Sequence, residues 1–352
     1  MEDSFKVEPT GHPGYQSTIK IKVLSLFLLL LISLIGGAIP LYLVRDVELN
    51  TPRTIRRNRR IRRVVSIMNS FSGGVFLGIA LVHLLPSVRV LLTDALKAKD
   101  PEHGVSEYPW AELIASAGFF LIVMVEQVLL AFEEKLGSSS GNSSLAVVHH
   151  AHGHMDTHTP VRTVASSSPS LKEEEAEMMD VDSEKPAISG GKSRGQKALT
   201  ILNACILLVA LSIHSVLEGL ALGLQLTRTA TLDLLIALSL HKGIEAFTIS
   251  LSIVQTPASR KLKYLTFIVF SFTSPIGIAV GIPITSQENA ESVTMLLVNG
   301  VLQGLATGTF IFVTFIEILP QELKARGDRM IKFAVMLIGF GIIAGVTSLE
   351  FS

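Results

Sequence analysis

Two identical groups of metal-ligating side chains occur inside apolar stretches of this chain. His214 precedes Glu218 by four residues, and His241 precedes Glu245 by the same spacing. Residues i and i+4 of a helix lie on one face, so each pair presents an imidazole and a carboxylate in one direction. Two such helices side by side would offer two nitrogens and two oxygens to one ion. Because an ionisable residue at the bilayer centre costs about 2.5–3.5 kcal/mol, the two pairs indicate a function.

The ligand types narrow the choice of ion. Imidazole and carboxylate without thiolate suit zinc, iron(II) and manganese, and a set of four slightly favours tetrahedral zinc. An inter-helix hydrogen bond explains a single buried residue equally well, but two matching pairs favour a metal. Lys242 lies about 100° around the helix from His241, so it either neutralises a carboxylate or fills the place of a second cation. Ser215 holds the corresponding position after His214 and offers a weak neutral oxygen, so we expect one metal site.

Composition indicates that membrane spans must position these residues. Of the 352 residues 48% are hydrophobic and only 17% are charged, and the formal net charge is zero. A neutral chain gives no electrostatic basis for binding nucleic acid. Cys205 is the only cysteine, which excludes an intramolecular disulfide and any multi-cysteine metal centre. The His-Glu-x-x-His motif of metallohydrolases does not occur, so we expect neither an enzyme nor a prosthetic group.

Eight apolar runs are long enough to cross about 30 Å of hydrocarbon, which predicts an all-α polytopic membrane protein. The first, fifth and seventh connections are rich in Arg or Lys and fall on one side by alternation. The positive-inside rule places that side in the cytosol and both termini outside the cell. The runs lie near residues 21–44, 64–86, 111–132, 199–226, 232–254, 264–284, 293–319 and 330–350.

A hydrophilic, Ser/Gly-rich segment divides the spans and is expected to be a disordered cytosolic loop. Five histidines in this loop either bind metal loosely, for sensing or collection, or belong to a plain polar linker; they are His149, His150, His152, His154 and His158. The expected organisation is an extracellular N-terminus at 1–20, spans one to three at 21–132, the loop at 133–198, spans four and five at 199–254, and spans six to eight with a short extracellular C-terminus at 255–352.

A second internal similarity joins spans two and seven, which end near Pro86 and Pro320. The positions that match when these prolines are aligned are Gly74 with Gly308, Phe76 with Phe310, and Leu85 with Leu319. Because the two spans cross in opposite directions, the similarity indicates an inverted repeat, a plan of secondary transporters. The repeat would place His83 near the outer mouth and Glu317 near the inner mouth, with the His/Glu pairs between them. The prolines themselves are expected at kinks or helix ends.

The segment from His214 to Gln225 resembles the fourth-span signature of the ZIP (Zrt/Irt-like) metal transporters. His241-Lys242-Gly243 and the segment from Glu317 to Leu323 are similar to the animal subfamily that includes the mammalian first, second and third ZIP proteins. The resemblance covers all eight spans and the position of the histidine-rich loop. It implies zinc import, a three-two-three helix arrangement, a homodimer and a plasma-membrane location, with an intracellular vesicle membrane as the alternative. An elevator-like movement is the mechanism proposed for this fold.

The resemblance also assigns roles to residues. It implies that the main transport site comprises His214, Glu218, His241 and Glu245. Further residues expected along the pathway are His83, Ser215, Lys242, Glu317 and Glu322. Bacterial relatives hold a second metal with carboxylates where this chain has Lys242 and Ser274, so a second site is not expected. Glu245 is shared with bacterial members and could tighten the site or change its preference. The alternatives are a broader importer of iron(II), manganese or cadmium, and a metal-sensing receptor.

Overall fold

The computed structural model describes residues 13–43, 52–99, 107–139, 194–254, 256, 258–285, 292–324 and 328–350. Within them, eight helical stretches are long and apolar enough to cross a membrane, which confirms the predicted all-α polytopic fold. These stretches are Gln16–Tyr42, Arg63–Lys99, Trp110–Ala131, Ala204–Gly223, Arg228–Val254, Arg260–Thr285, Val293–Ile318 and Arg329–Ser348.

Three of the eight spans are built from more than one helical segment. Span two joins α2 to α3 through a π-helical turn, span six joins α7 to α8 at Phe272, and span seven comprises α9 from Val293 onward and a second π turn, which leads into α10. The helices are α1 Pro13–Leu43, α2 Pro52–Gly78, α3 Leu85–Lys99, α4 Trp110–Ser139, α5 Arg194–Gly223, α6 Arg228–Val254, α7 Arg260–Ser271, α8 Thr273–Thr285, α9 Ser292–Phe312, α10 Leu319–Lys324 and α11 Arg329–Glu350, and the π turns are Ile79–Leu84 and Val313–Ile318.

The two π turns occupy equivalent positions in the two repeats. Each begins seven residues before the aligned proline, Pro86 in span two and Pro320 in span seven. A proline lacks an N–H and its ring crowds the carbonyl four residues earlier, and here that carbonyl belongs to the widened π turn. The helix therefore continues past both prolines as α3 and α10, although span seven itself ends at Ile318, next to Pro320 as predicted. Span two runs to Lys99, well beyond the predicted boundary near residue 86.

The predicted central loop has helical residues at both of its ends. Helix α4 continues to Ser139 and α5 begins at Arg194, so parts of the predicted loop at 133–198 are helical. The added stretches contain Glu, Lys, Leu and Ala, which have high helix propensity and extend an existing helix at little cost. The five loop histidines lie outside the described residues, and their role stays a prediction.

Helix packing follows the inverted repeat. The four most extensive helix contacts are α1 with α6, α5 with α8, α2 with α11, and α4 with α9. Exchanging span one with six, two with seven, three with eight and four with five maps each of these contacts onto another of the four. The spans therefore form two groups, which we call the site group (spans one, four, five and six) and the flanking group (spans two, three, seven and eight).

Small residues bring the backbones of the site group close together. A Cβ atom added at Gly223 of α5 would lie 2.6 Å from the carbonyl oxygen of Ile278 and 2.8 Å from the Cα of Gly281 in α8. A Cβ added at Gly36 of α1 would collide with the backbone of Gly243 in α6. Van der Waals contact between such thin surfaces is a main source of helix association in lipid. Each helix that carries a His/Glu pair is thus packed backbone to backbone against a partner.

Candidate metal site

Helices α5 and α6 place the two His/Glu pairs side by side in the interior. His214 is 0% exposed, Glu218 3%, His241 1% and Glu245 0%. One ligand atom from each of the four residues lies within 4.8 Å of all the others. The structure thus brings together the four residues predicted from the twin spacing, across the short connection between two antiparallel spans.

Nitrogen and oxygen atoms alternate around this group. The Nε2 atom of His214 lies 3.3 Å from Oε2 of Glu218 and 3.2 Å from Oε1 of Glu245. The Nε2 atom of His241 lies 3.2 Å from the same Glu218 oxygen and 3.5 Å from the same Glu245 oxygen. A tetrahedral zinc ion with bonds of about 2.0–2.1 Å separates neighbouring ligand atoms by about 3.3 Å. The four nitrogen–oxygen distances are close to that edge, so the group has the right size to hold one ion.

The tautomer of His214 explains why a cation suits this arrangement. Nδ1 of His214 lies 2.9 Å from the carbonyl oxygen of Ala306 in α9. Because a carbonyl only accepts, Nδ1 carries the proton and donates it, and in the neutral imidazole Nε2 then presents a lone pair. That lone pair faces two carboxylate oxygens. Acceptors that converge in this way need a cation among them, either a proton on Nε2 or a metal ion, and orientation of a ligand histidine by a carbonyl is typical of metal sites.

Lys242 lies beside the four ligands and engages one of them. Its side chain is fully buried, and Nζ lies 3.0 Å from Oε2 of Glu245 and donates a hydrogen bond to Oγ of Ser215. The Ser215 hydroxyl in turn donates to the same Glu245 oxygen at 3.3 Å. The ring of Phe270 lies 5.0 Å from Nζ, close enough for a cation–π contact. Lys242 and Ser215 therefore occupy Oε2, which leaves Oε1 of Glu245 directed at the two histidines.

Ser274 is directed away from the ligand oxygens. Its buried hydroxyl donates to the backbone carbonyl of Ser215 at 3.2 Å, which links α8 to α5. Lys242 therefore contributes an ammonium and Ser274 a hydroxyl bonded to a carbonyl, and neither offers a free carboxylate. That only one ion binds stays a prediction.

The other residues predicted along the pathway, His83, Glu317 and Glu322, are not part of the four-residue group. His83 and Glu317 each occupy the fifth position of a π turn, and both are buried, with 9% and 7% exposure. They hold equivalent places in the two repeats, as the alignment on the prolines predicted, and they do not belong to the four-ligand group. The side chain of Glu322 lies outside the described residues, so its place on the pathway stays a prediction.

The aromatic and backbone groups around the site could not be predicted from the sequence pattern. The ring centroid of Phe310 lies 4.7 Å from that of His214, 6.1 Å from that of His241, and 4.7 Å from that of Phe76. Phe310 and Ala306 both come from α9 of the flanking group, far along the chain from the ligands. The pairing of Phe76 with Phe310 in the repeat alignment was the one available signal, and it gave no indication of contact with the histidines.

Eight spans in an inverted repeat, with a buried ligand set between the two halves, are the architecture of a secondary transporter. The family model described as "ZIP Zinc transporter" matches residues 19–347. The chain belongs to this family.

Named relatives cover almost the whole chain. Human "Zinc transporter ZIP1" is 32% identical over 347 residues, which span 97% of this chain and 94% of the relative. Mouse "Zinc transporter ZIP1" is 32% identical over 96% of this chain and 93% of its own length. Mouse "Zinc transporter ZIP3" is 30% identical over 94% of this chain and 98% of its own length. All three are named as transporters and none as an enzyme.

Proposed function

We propose that this chain carries zinc ions across a membrane into the cytosol and binds each ion in transit between α5 and α6. The observation that carries the proposal is the set of four buried, alternating nitrogen and oxygen atoms, 3.2–3.5 Å apart, contributed by His214, Glu218, His241 and Glu245. Zinc is the cargo rather than a resident cofactor. Membership of the ZIP zinc transporter family and the names of the relatives support the choice of ion.

One ion is bound at a time. Two carboxylates and one ammonium give the buried group a net charge of −1 when all three are ionised, and a divalent ion brings it to +1. A second divalent ion would raise the buried charge to +3, which a low-dielectric interior disfavours strongly. The ammonium of Lys242, 3.0 Å from Glu245, thus serves as a permanent partner for one carboxylate.

The setting of the transporter is part of the proposal. The chain resides in the plasma membrane as a homodimer, with both termini outside the cell. The Arg-rich first connection supports this orientation through the positive-inside rule. An epitope tag at the N-terminus should bind antibody on intact cells, whereas a tag inserted in the loop at 140–193 should bind only after permeabilisation. The opposite staining pattern would invert the orientation.

The decisive experiment measures uptake of radioactive zinc by cells that express the chain. His214→Ala and Glu218→Ala should each reduce saturable uptake by at least about tenfold at matched surface levels, because each removes a ligand from a four-ligand ion. Ser239→Ala is the matched control, since the half-buried Ser239 hydroxyl on α6 donates to the carbonyl of Leu235 one turn earlier and has no other hydrogen bond to a described residue. Undiminished saturable uptake by both ligand variants would refute the proposed site.

A second candidate function is a broader importer of divalent metals. It is favoured by the absence of thiolates from the four-ligand group, because imidazole and carboxylate also suit iron(II) and manganese. Unlabelled zinc, iron(II), manganese and cadmium should be compared as competitors in the same uptake assay. A zinc-selective carrier is inhibited at the lowest concentration by zinc, whereas equal inhibition by two or more metals supports the broader function.

A further inference from the structure

The two histidines of the site are equivalent by the repeat, yet they differ in their surroundings. Nδ1 of His214 donates to the carbonyl of Ala306, and the ring of Phe310 packs on its imidazole. Nδ1 of His241 is buried and has no hydrogen-bond partner among the described residues. A buried polar atom without a partner is unfavourable, and in a folded protein it requires an explanation.

The repeat identifies the groups that would complete the surroundings of His241. Exchange of the two halves maps α5 onto α6 and α9 onto α2. Ala306 lies fourteen residues before Pro320, and Ser72 lies fourteen residues before Pro86. Phe310 and Phe76 each lie ten residues before those prolines. In the repeat, the carbonyl of Ser72 and the ring of Phe76 therefore occupy the positions that correspond to Ala306 and Phe310, although neither contacts His241 in the described arrangement.

The two equivalent interfaces are not formed to the same extent. Helix α5 packs extensively along α9, whereas α6 and α2 meet at only a few positions. Phe76 is fully buried, but its ring packs on Phe310. In this arrangement the interface between α5 and α9 is formed and the equivalent interface between α6 and α2 is not. The repeat therefore implies a second arrangement in which α6 packs along α2 instead, reached by sliding the site group along the flanking group.

We propose that Ser72 and Phe76 form a second clamp, which holds His241 in the opposite-facing state as Ala306 and Phe310 hold His214 here. A clamp is defined as a carbonyl that accepts the Nδ1 proton together with an aromatic ring packed on the imidazole. This inference rests on the proposed transport function, since a carrier must expose its site to both sides. One histidine is oriented in each state, and the exchange of clamps accompanies movement of the ion. Phe76 is thus a positioning residue that need not touch the metal.

The two clamps make opposite predictions for the populations of the two states. Phe310→Ala weakens the clamp of the state described here and should favour the other state. Phe76→Ala weakens the second clamp and should favour the present state. Since an aromatic contact of this kind corresponds to about a 2- to 10-fold change in an equilibrium, each variant should shift the population by that factor, in opposite directions.

Cysteine labelling can measure these shifts in the full chain. Cys205→Ser removes the only native cysteine. Ala221→Cys and Thr248→Cys then serve as separate reporters, since they lie three residues beyond Glu218 and Glu245 at equivalent positions and are buried here. An impermeant thiol reagent is applied from each side of proteoliposomes. The labelling rate of each reporter should rise with one Phe variant and fall with the other, and the double Phe variant should return toward the parent.

A purely structural role for the two rings predicts a different result. Because Phe76 and Phe310 pack on each other, loss of either ring would then change labelling in the same direction, and the double variant would match the single ones. That outcome overturns the second clamp. Phe76→Leu and Phe310→Leu should give shifts of the same signs but smaller size, which guards against misfolding of the alanine variants. Continued loss of uptake in Glu218→Ala alongside same-direction shifts would reject the clamp and retain the transport site.

Discussion

Glu218 is the residue on which both histidines converge. Its Oε2 atom lies 3.3 Å from Nε2 of His214 and 3.2 Å from Nε2 of His241, so a single oxygen contacts both histidine nitrogens. Glu245 has the same relation to the histidines through Oε1, but its second oxygen is held by Lys242 and Ser215. The two carboxylates therefore have different charges around them despite identical positions in the twin motif.

Lys242→Met should strengthen the dependence of stability on zinc. Loss of one partner from a buried ion pair costs about 3–5 kcal/mol, because Glu245 keeps an uncompensated charge. The metal-free variant should therefore unfold at a lower temperature than the parent. Added zinc should raise the midpoint temperature of unfolding by more in the variant than in the parent. Purified protein in detergent, heated with and without zinc, provides the measurement.

The control for this substitution is Lys20→Met, which removes the same charge from an exposed position on α1. Its midpoints with and without zinc should match those of the parent. A zinc-induced rise that is equal in the Lys242→Met variant and the parent would show that the ammonium does not interact with the bound ion.

At the scale of helices, the contact between α5 and α8 fixes the position of one His/Glu pair. Gly219, Gly223 and Gly277 all lie where an added Cβ would meet the backbone of the opposite helix. The π turns work in a comparable way in spans two and seven, since they let a helix pass a proline while His83 and Glu317 stay buried. Backbone features at equivalent positions in the repeats thus set the rotation of the side chains.

Gly223→Ala should destabilise the protein by about 1–3 kcal/mol, since the methyl group must push α5 and α8 apart. The same displacement moves His214 and Glu218, so saturable zinc uptake should fall at matched surface levels. Gly341→Ala in α11 is the matched control, because nothing lies within 4 Å of the added Cβ there. Equal unfolding midpoints and equal uptake for the two variants would contradict the importance of this close approach.

At the scale of the whole molecule, the site lies where the site group meets the flanking group. A core of apolar residues from both groups surrounds it, and Phe310 connects this core to the histidines. A metal ion bound at this junction contacts ligands of the site group whose orientation depends on Ala306 of the flanking group. Binding should therefore stabilise the complete fold rather than one helix pair.

Zinc should raise the unfolding midpoint of the purified protein in a concentration-dependent way. A ligand that binds only the folded state contributes about 2.7 kcal/mol at a free concentration of 100 Kd. Glu218→Ala should abolish this rise, and magnesium, which prefers six oxygen ligands, should not produce it in the parent. An equal rise in the Glu218→Ala variant would assign the stabilising zinc to another site, and the loop at 140–193 would then be the next region to delete.

The sequence by itself determined the spans, the two His/Glu pairs and the repeat. Each of the eight spans is a local property, because a run of about twenty apolar residues has one favourable location. The i, i+4 spacing put His214 and Glu218 on one face of their helix, and His241 and Glu245 on one face of theirs. The matching positions of glycine, phenylalanine and proline indicated that spans two and seven are equivalent.

Only the tertiary structure decided how these parts meet. The rotation of α5 against α6 depends on contacts with α8 and α1, made by residues far apart in the chain, so no local pattern could reveal that nitrogen and oxygen atoms alternate at 3.2–3.5 Å. Local spacing likewise left the role of Lys242 open, and packing directed its ammonium to Glu245. The carbonyl of Ala306 carries no side-chain signature, since every residue has a carbonyl and only its approach to His214 gives it a role.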